Sequence, residues 1–195
     1  MAAQRLRAAL QSVGMQADFL TADQAGAKWP FYAERLSFLP FERDRSVRFS
    51  FSLANFGHDI RKHPLVQGAD VLHLHWINQG FLSLQNIRQL ATLGKPIVWT
   101  LHDMWAFTGG CHYSGACDHY QHGCGNCPFL RRPGSQDLSK TILDRKRVLF
   151  PKNIHFVTSS EWLCGVARSS ALLQSYSVEA IAIPVDTDIF KPMTA

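Results

Sequence analysis

Charge is scarce in this sequence. Of its 195 residues only 18% are Asp, Glu, Lys or Arg, against a usual share of about 25%. With 46% hydrophobic and 11% aromatic residues, the chain has the makings of a packed core and not of a disordered segment. Long apolar runs are missing as well. No stretch approaches the roughly 18 residues that a membrane-spanning helix needs. No secretory leader is expected either, because Arg5 and Arg7 interrupt the first residues before an apolar stretch can begin. The expected compartment is therefore cytoplasmic and reducing. Also absent are a Walker phosphate loop, a G-x-G-x-x-G after a strand and a G-x-S-x-G elbow, so P-loop NTPase, dinucleotide-binding and serine-hydrolase readings fall away.

Basic residues outnumber acidic ones by 20 to 15. They occur in short, interrupted groups: Arg43, Arg45 and Arg48; Arg131 and Arg132; and Arg145, Lys146 and Arg147. A nucleic-acid binder concentrates such charge into a stripe, so no nucleic-acid partner is expected. The groups read as solvated faces, with a net charge of +5 that permits attraction to anionic lipid.

Residues 2–13 place Leu6, Ala9, Leu10 and Val13 at helical spacing, with Gly14 as the stop. A strand is expected at 15–20. Residues 21–57 are rich in aromatics without a period and are broken by Pro30 and Pro40; they predict an irregular excursion with one helix over about 47–62. From residue 69 the order becomes regular: strand 70–75, helix 81–93 closed by Gly94, strand 95–101, a long loop, helix 138–150, strand 154–158, helix 161–170 and strand 178–183. Alternation of this kind predicts a single α/β domain over 1–195, a Rossmann-like parallel sheet with helices on both faces, carrying a Cys-rich loop over 109–130.

In such sheets ligands sit beyond the carboxyl ends of the strands. The strand at 70–75 runs out into His73, His75, Trp76 and Asn78, and the strand at 95–101 into His102, Asp103, Trp105, Gly109 and Gly110. The strand at 154–158 ends at Ser159, Ser160 and Glu161. His73 and His75 share one strand face and read either as a metal pair, with Asp103 as a carboxylate ligand in a metallohydrolase, or as one packed and one cleft-lining imidazole. His102 reads either as a group that stabilises charge at a reacting centre or as a buried His satisfied by backbone. Cys111, Cys117, Cys124 and Cys127 fall within 17 residues, with His112, His119 and His122 between them. The closing Cys124-Gly-Asn-Cys127 has the spacing of a thiolate zinc turn. Structural zinc, disulfides or free thiols, and catalysis all remain open on spacing alone.

The runs Ala69-Asp-Val-Leu-His-Leu-His-Trp-Ile-Asn78, Lys95-Pro-Ile-Val-Trp-Thr-Leu-His-Asp-Met-Trp-Ala-Phe-Thr-Gly-Gly-Cys-His-Tyr-Ser-Gly115 and Gly123-Cys-Gly-Asn-Cys-Pro128 resemble the N-terminal half of bacterial family 4 glycosyltransferases. Val157-Thr-Ser-Ser-Glu-Trp162 and Pro184-Val-Asp-Thr-Asp-Ile-Phe-Lys-Pro192 are similar to the same family. The resemblance implies half of a GT-B fold. It also implies retaining transfer from a nucleotide-sugar to a glycan or lipid-linked acceptor without a catalytic cofactor, and peripheral contact with the inner membrane face. By that likeness His102 and Asp103 are catalytic, while His75, Trp76, Asn78, Trp105, Gly109, Gly110, Ser160 and Glu161 bind substrate. The four cysteines would be the ligands of a structural zinc. The family's first strand and C-terminal donor domain have no counterpart in these residues, so the chain by itself is expected to be inactive. The alternative from another class is a zinc-pinned module that binds glycan or protein without turnover.

Overall fold

The computed structural model describes residues 2–187 and 189–192. The segment 184–192 therefore includes one position, Asp188, outside the described residues. Three helices come first: α1 (Ala2–Ser12), α2 (Ala22–Ala25) and α3 (Trp29–Phe38). After α4 (Pro64–Gly68) the chain alternates: β1 (Leu72–Leu74), α5 (Leu84–Leu90), β2 (Ile97–Leu101), α6 (Leu138–Leu149), β3 (Ile154–Thr158), α7 (Glu161–Arg168) and β4 (Ser177–Ala180). The four strands form one parallel sheet in the order β1-β2-β3-β4, with helices packed around it. The α/β expectation holds.

Local chemistry explains the boundaries. Asp137 opens α6 by accepting from the N–H groups of Ser139 and Lys140, and Ser160 opens α7 by accepting from Leu163. Gly94 takes the left-handed conformation (φ 69°) that closes the turn after α5. The β-branched and aromatic residues of β2 and β3 pair from Ile97↔Ile154 to Leu101↔Thr158. Ile97, Trp99 and Leu101 are buried on one face, where the Trp99 ring lies 5.4 Å from Phe150 and 5.6 Å from Phe156.

The N-terminal third departs from expectation. Residues 15–20 form no strand, and 47–62 form no helix: a 3-10 turn at Arg45–Val47 is followed by irregular chain. The segment is organised by a buried acid. Glu34, on α3, accepts from the backbone N–H groups of Leu53, Ala54, Asn55 and Phe56. That carboxylate does for the segment what a neighbouring strand would otherwise do. It also fixes Ala54 at φ +53°, a conformation that residues other than glycine adopt only when the surroundings require it.

Candidate functional site

Strands β1 and β2 end side by side, and the residues that follow converge there. Leu74 pairs with Trp99, which brings His75 next to the start of the loop after β2. His75 Nδ1 lies 3.0 Å from His102 Nε2, and His73 Nε2 lies 2.8 Å from Thr100 Oγ1. The three imidazoles stack, with centroids 4.5 Å apart for His73 and His75 and 5.3 Å for His75 and His102. A bond between two ring nitrogens needs one donor and one acceptor, so at least one ring of the pair is neutral. The surroundings favour neutrality throughout. Burial lowers the pKa of His73, with His102 adding to the effect, and pulls His75 down to about 4. Burial also lowers His102, against the opposing pull of Asp103.

These shifts make a stability prediction. Rings held below their ordinary value of about 6.5 take up protons in the unfolded chain first. Their contribution is complete above about pH 6.5 and is lost as the pH falls through 4. Thermal melts should therefore show Tm falling over that window, and His75→Phe should flatten the fall. An unchanged slope in the variant would remove His75 from the effect.

Beside the imidazoles lies a chain of polar groups. Asp103 Oδ2 is 2.6 Å from His112 Nδ1, and His112 Nε2 is 2.9 Å from Ser52 Oγ. With Asp103 ionised, the Nδ1–H donates to the carboxylate and Nε2 accepts from the serine hydroxyl. Asp103 Oδ1 accepts from the Trp105 N–H, and the Trp105 indole N–H donates to the Ser52 carbonyl. The ring of contacts has the members of a nucleophilic triad with the ends reversed. Ser52 is buried, whereas Asp103 and His112 face an open cleft of about 410 Å³ whose walls also include Ser50, Phe49, Trp76, Tyr113 and Phe129. Such a volume suits a small ligand, and the walls are mainly aromatic. Tyr113 donates its hydroxyl hydrogen to the His102 carbonyl, which ties the cleft wall to the imidazole stack. His102 is only half-buried and adjoins the cleft through Asp103 and Tyr113.

Of the residues singled out from sequence, His75, His102, Asp103 and Trp76 are brought together here. Asn78 is buried behind them, and its amide nitrogen has no hydrogen-bond partner among the described residues. Trp105 lies in the core rather than in the cleft, under the ammonium of Lys146. Gly109 and Gly110 are packed: a Cβ would meet the Ser139 carbonyl oxygen at 2.3 Å at the first and the Phe51 ring at 2.5 Å at the second. Ser160 and Glu161 are exposed at the start of α7, outside the cleft lining.

Cys111, Cys117, Cys124 and Cys127 all line one cavity of about 20 Å³. None is in a disulfide. Burial raises Cys111 to about 12 and Cys127 to about 11, and Gly109 N–H points at Cys124 Sγ. As these side chains stand, no group of three or more Cys, His, Asp or Glu among the described residues is arranged to hold a metal ion. His73, His75 and Asp103 likewise form no such group as they stand.

Part of the chain aligns with a known protein. Over 104 residues it is 32% identical to an Escherichia coli (strain K12) protein that carries the name "Putative colanic acid biosynthesis glycosyl transferase WcaC", an alignment covering 49% of this chain and 26% of that relative. The match is to a glycosyl transferase. The chain thus spans about a quarter of the relative's length. No protein-family model matches the chain, and no solved structure matches it.

Sequence reasoning missed Ser52, Phe49 and Phe129, and placed His112 only among the cysteines. Ser52 and His112 are 60 residues apart, and nothing local signals their contact. Lys146 was read as part of a solvated basic face, yet it is fully buried and donates to the carbonyls of Trp105 and Thr108. Its position on the inner face of α6, beside Ile142 and Leu143, could have signalled that.

Proposed function

We propose that this chain is the acceptor-side domain of a retaining glycosyltransferase of the GT-B, family 4 kind. It would work with a nucleotide-sugar donor held by a second domain and a glycan or lipid-linked acceptor. The observation that carries the reading is His102, half-open at a strand end beside an aromatic-walled cleft. The partial likeness to a glycosyl transferase supports it.

In this reading Trp76 and Tyr113 offer flat faces to the C–H edge of an acceptor sugar. Asp103, held by His112 and the Trp105 N–H, accepts a hydrogen bond from the attacking hydroxyl. His102 spends Nε2 on His75, which leaves Nδ1 for charge that develops as the sugar leaves its diphosphate. A neutral, oriented imidazole suits that task, because preorganised dipoles stabilise the transition state without reorganising. The test is transfer of labelled sugar from a panel of nucleotide-sugars to glycan or lipid extracts, with the donor-side domain supplied in the same polypeptide or by co-expression. Transfer that requires this chain supports the reading. Donor hydrolysis or transfer that is indifferent to its removal ends it.

A structural zinc on Cys111, Cys117, Cys124 and Cys127 is a separate proposal, supported by the donor set and by the single cavity the thiols share. It requires the side chains to turn in toward the cavity centre. Metal analysis should then return one zinc per chain, lost in Cys127→Ser. Four titratable thiols with no metal would end that proposal.

A further inference from the structure

The cleft beside the imidazole stack holds charge of one sign. Asp103 is the one acidic side chain among the described residues that line it, and no Lys or Arg is among them. Most of the remaining wall is aromatic. Trp76, Tyr113 and Phe49 are 48%, 55% and 67% exposed, far more than packing alone leaves to large rings. Rings open to water around a carboxylate present π faces and negative charge to the same small volume, which is the setting that attracts an organic cation.

The supply of hydrogens is as uneven as the charge. His112 spends both ring nitrogens, one on Asp103 and one on Ser52, and Tyr113 gives its hydroxyl hydrogen to the His102 carbonyl. Of the lining side chains, that leaves Ser50 and Trp76 with a hydrogen for a ligand. Asp103 has acceptor capacity to spare. Its Oδ1 takes the Trp105 N–H and its Oδ2 faces His112 Nδ1, and each oxygen keeps a further lone pair. The ligand group that matches such a site is all donor. An ammonium has three N–H donors and no acceptor, whereas a carboxylate or phosphate would meet Asp103 as like charge.

We infer that the cleft recognises an amino sugar in its ammonium form, with the ammonium on Asp103 and a C–H face of the sugar ring against Trp76. The sugar half rests on the glycosyltransferase reading; the ammonium half stands on the cleft's own charge and hydrogen inventory. The two oxygens of Asp103 suffice for both groups of an amino alcohol, the ammonium on one and the neighbouring hydroxyl on the other. The Arg35 guanidinium lies 3.8 Å from the centre of the Phe49 ring but outside the cleft lining. Its charge opposes a second cation on Phe49, so the ammonium belongs on Asp103.

The experiment titrates the chain at neutral pH with glucosamine, glucose and N-acetylglucosamine, followed by NMR chemical shifts. Glucosamine should bind at least about tenfold more tightly than glucose, the worth of one charge-assisted contact. N-acetylglucosamine keeps the nitrogen without its charge and should bind like glucose. Asp103→Asn should bring the glucosamine-to-glucose ratio to about one. Phe49→Lys, at an exposed position, should do the same by setting a cation on the cleft wall, so the preference stays testable even where Asp103→Asn does not fold. Equal binding of the three sugars, or a glucosamine preference that survives both variants, would overturn the ammonium contact and leave the sugar-transfer reading standing. Binding of none of the three, or of ethanolamine as tightly as glucosamine, would overturn the amino sugar and take the cleft out of that reading as well.

Discussion

On the proposed sugar-transfer reading, replacing His102 with Ala should lower turnover by about 10²- to 10³-fold, the cost of deleting one preorganised donor from a transition-state site. Acceptor KM should move by less than about threefold, since His102 is not among the residues that line the cleft in which that reading seats the acceptor. The split follows from geometry. His102 is held through Nε2 by His75 and through its carbonyl by Tyr113, so the substitution removes a fixed dipole and leaves the cleft lined by Trp76, Asp103 and Tyr113 in place. Steady-state kinetics with the donor-side domain present reads both quantities. Unchanged turnover would take His102 out of the mechanism, and a matched rise in KM would make it a binding group. His75→Phe offers a useful contrast: it frees Nε2 of His102 while keeping a ring in the stack, and a smaller loss is expected.

The largest stability effect is expected at Glu34. Glu34→Ala withdraws a buried carboxylate from four backbone N–H groups, those of Leu53, Ala54, Asn55 and Phe56. Leaving buried donors without an acceptor costs about 1–3 kcal/mol each where water cannot reach. Asn55 and Phe56 are open enough to be solvated, so the whole substitution should cost about 3–5 kcal/mol. For a chain of this size that corresponds to a drop in Tm of roughly 10 °C. The damage should spread, because the Ala54 carbonyl accepts from Leu84 at the start of α5 and Asn55 accepts from Arg145 on α6. Calorimetry of the variant checks the size. A loss below about 1 kcal/mol would mean that water replaces the carboxylate at all four positions.

The regular part of the fold was legible because each element carries its own signal. The run 154–158 is β-branched and aromatic, and it forms β3 over the same residues. Helix α6 begins where Asp137 caps it, and Gly94 ends the helical stretch before β2. Helix α3 was not legible, for two physical reasons. Pro30 was read as a breaker but sits in the first turn of the helix, where its missing N–H costs nothing. The aromatics showed no period because the outward face is apolar along with the inward one. Residues 47–62 were read as a helix, yet the chain there takes its hydrogen bonds from a side chain on α3.

The site divided in the same way. Trp76, His75, His102 and Asp103 follow strand ends, so the general placement of ligands in parallel sheets was enough to single them out as candidates. Ser52 and His112 meet only through the tertiary fold, and Trp105, Gly109 and Gly110 turned out to build the loop's packing instead of its surface. The four thiols line one cavity, where their spacing alone had left structural zinc, disulfides or free thiols, and catalysis open.

The strand order has a consequence for how the molecule is made. Because β1, β2, β3 and β4 lie in the sheet in the order in which they occur in the chain, each strand leaving the ribosome meets a neighbour that was synthesised just before it. Among the described residues no strand has to wait for a later one or be threaded between two earlier ones. The domain can therefore assemble from one edge outward during translation, the longest closure being the loop and α6 between β2 and β3.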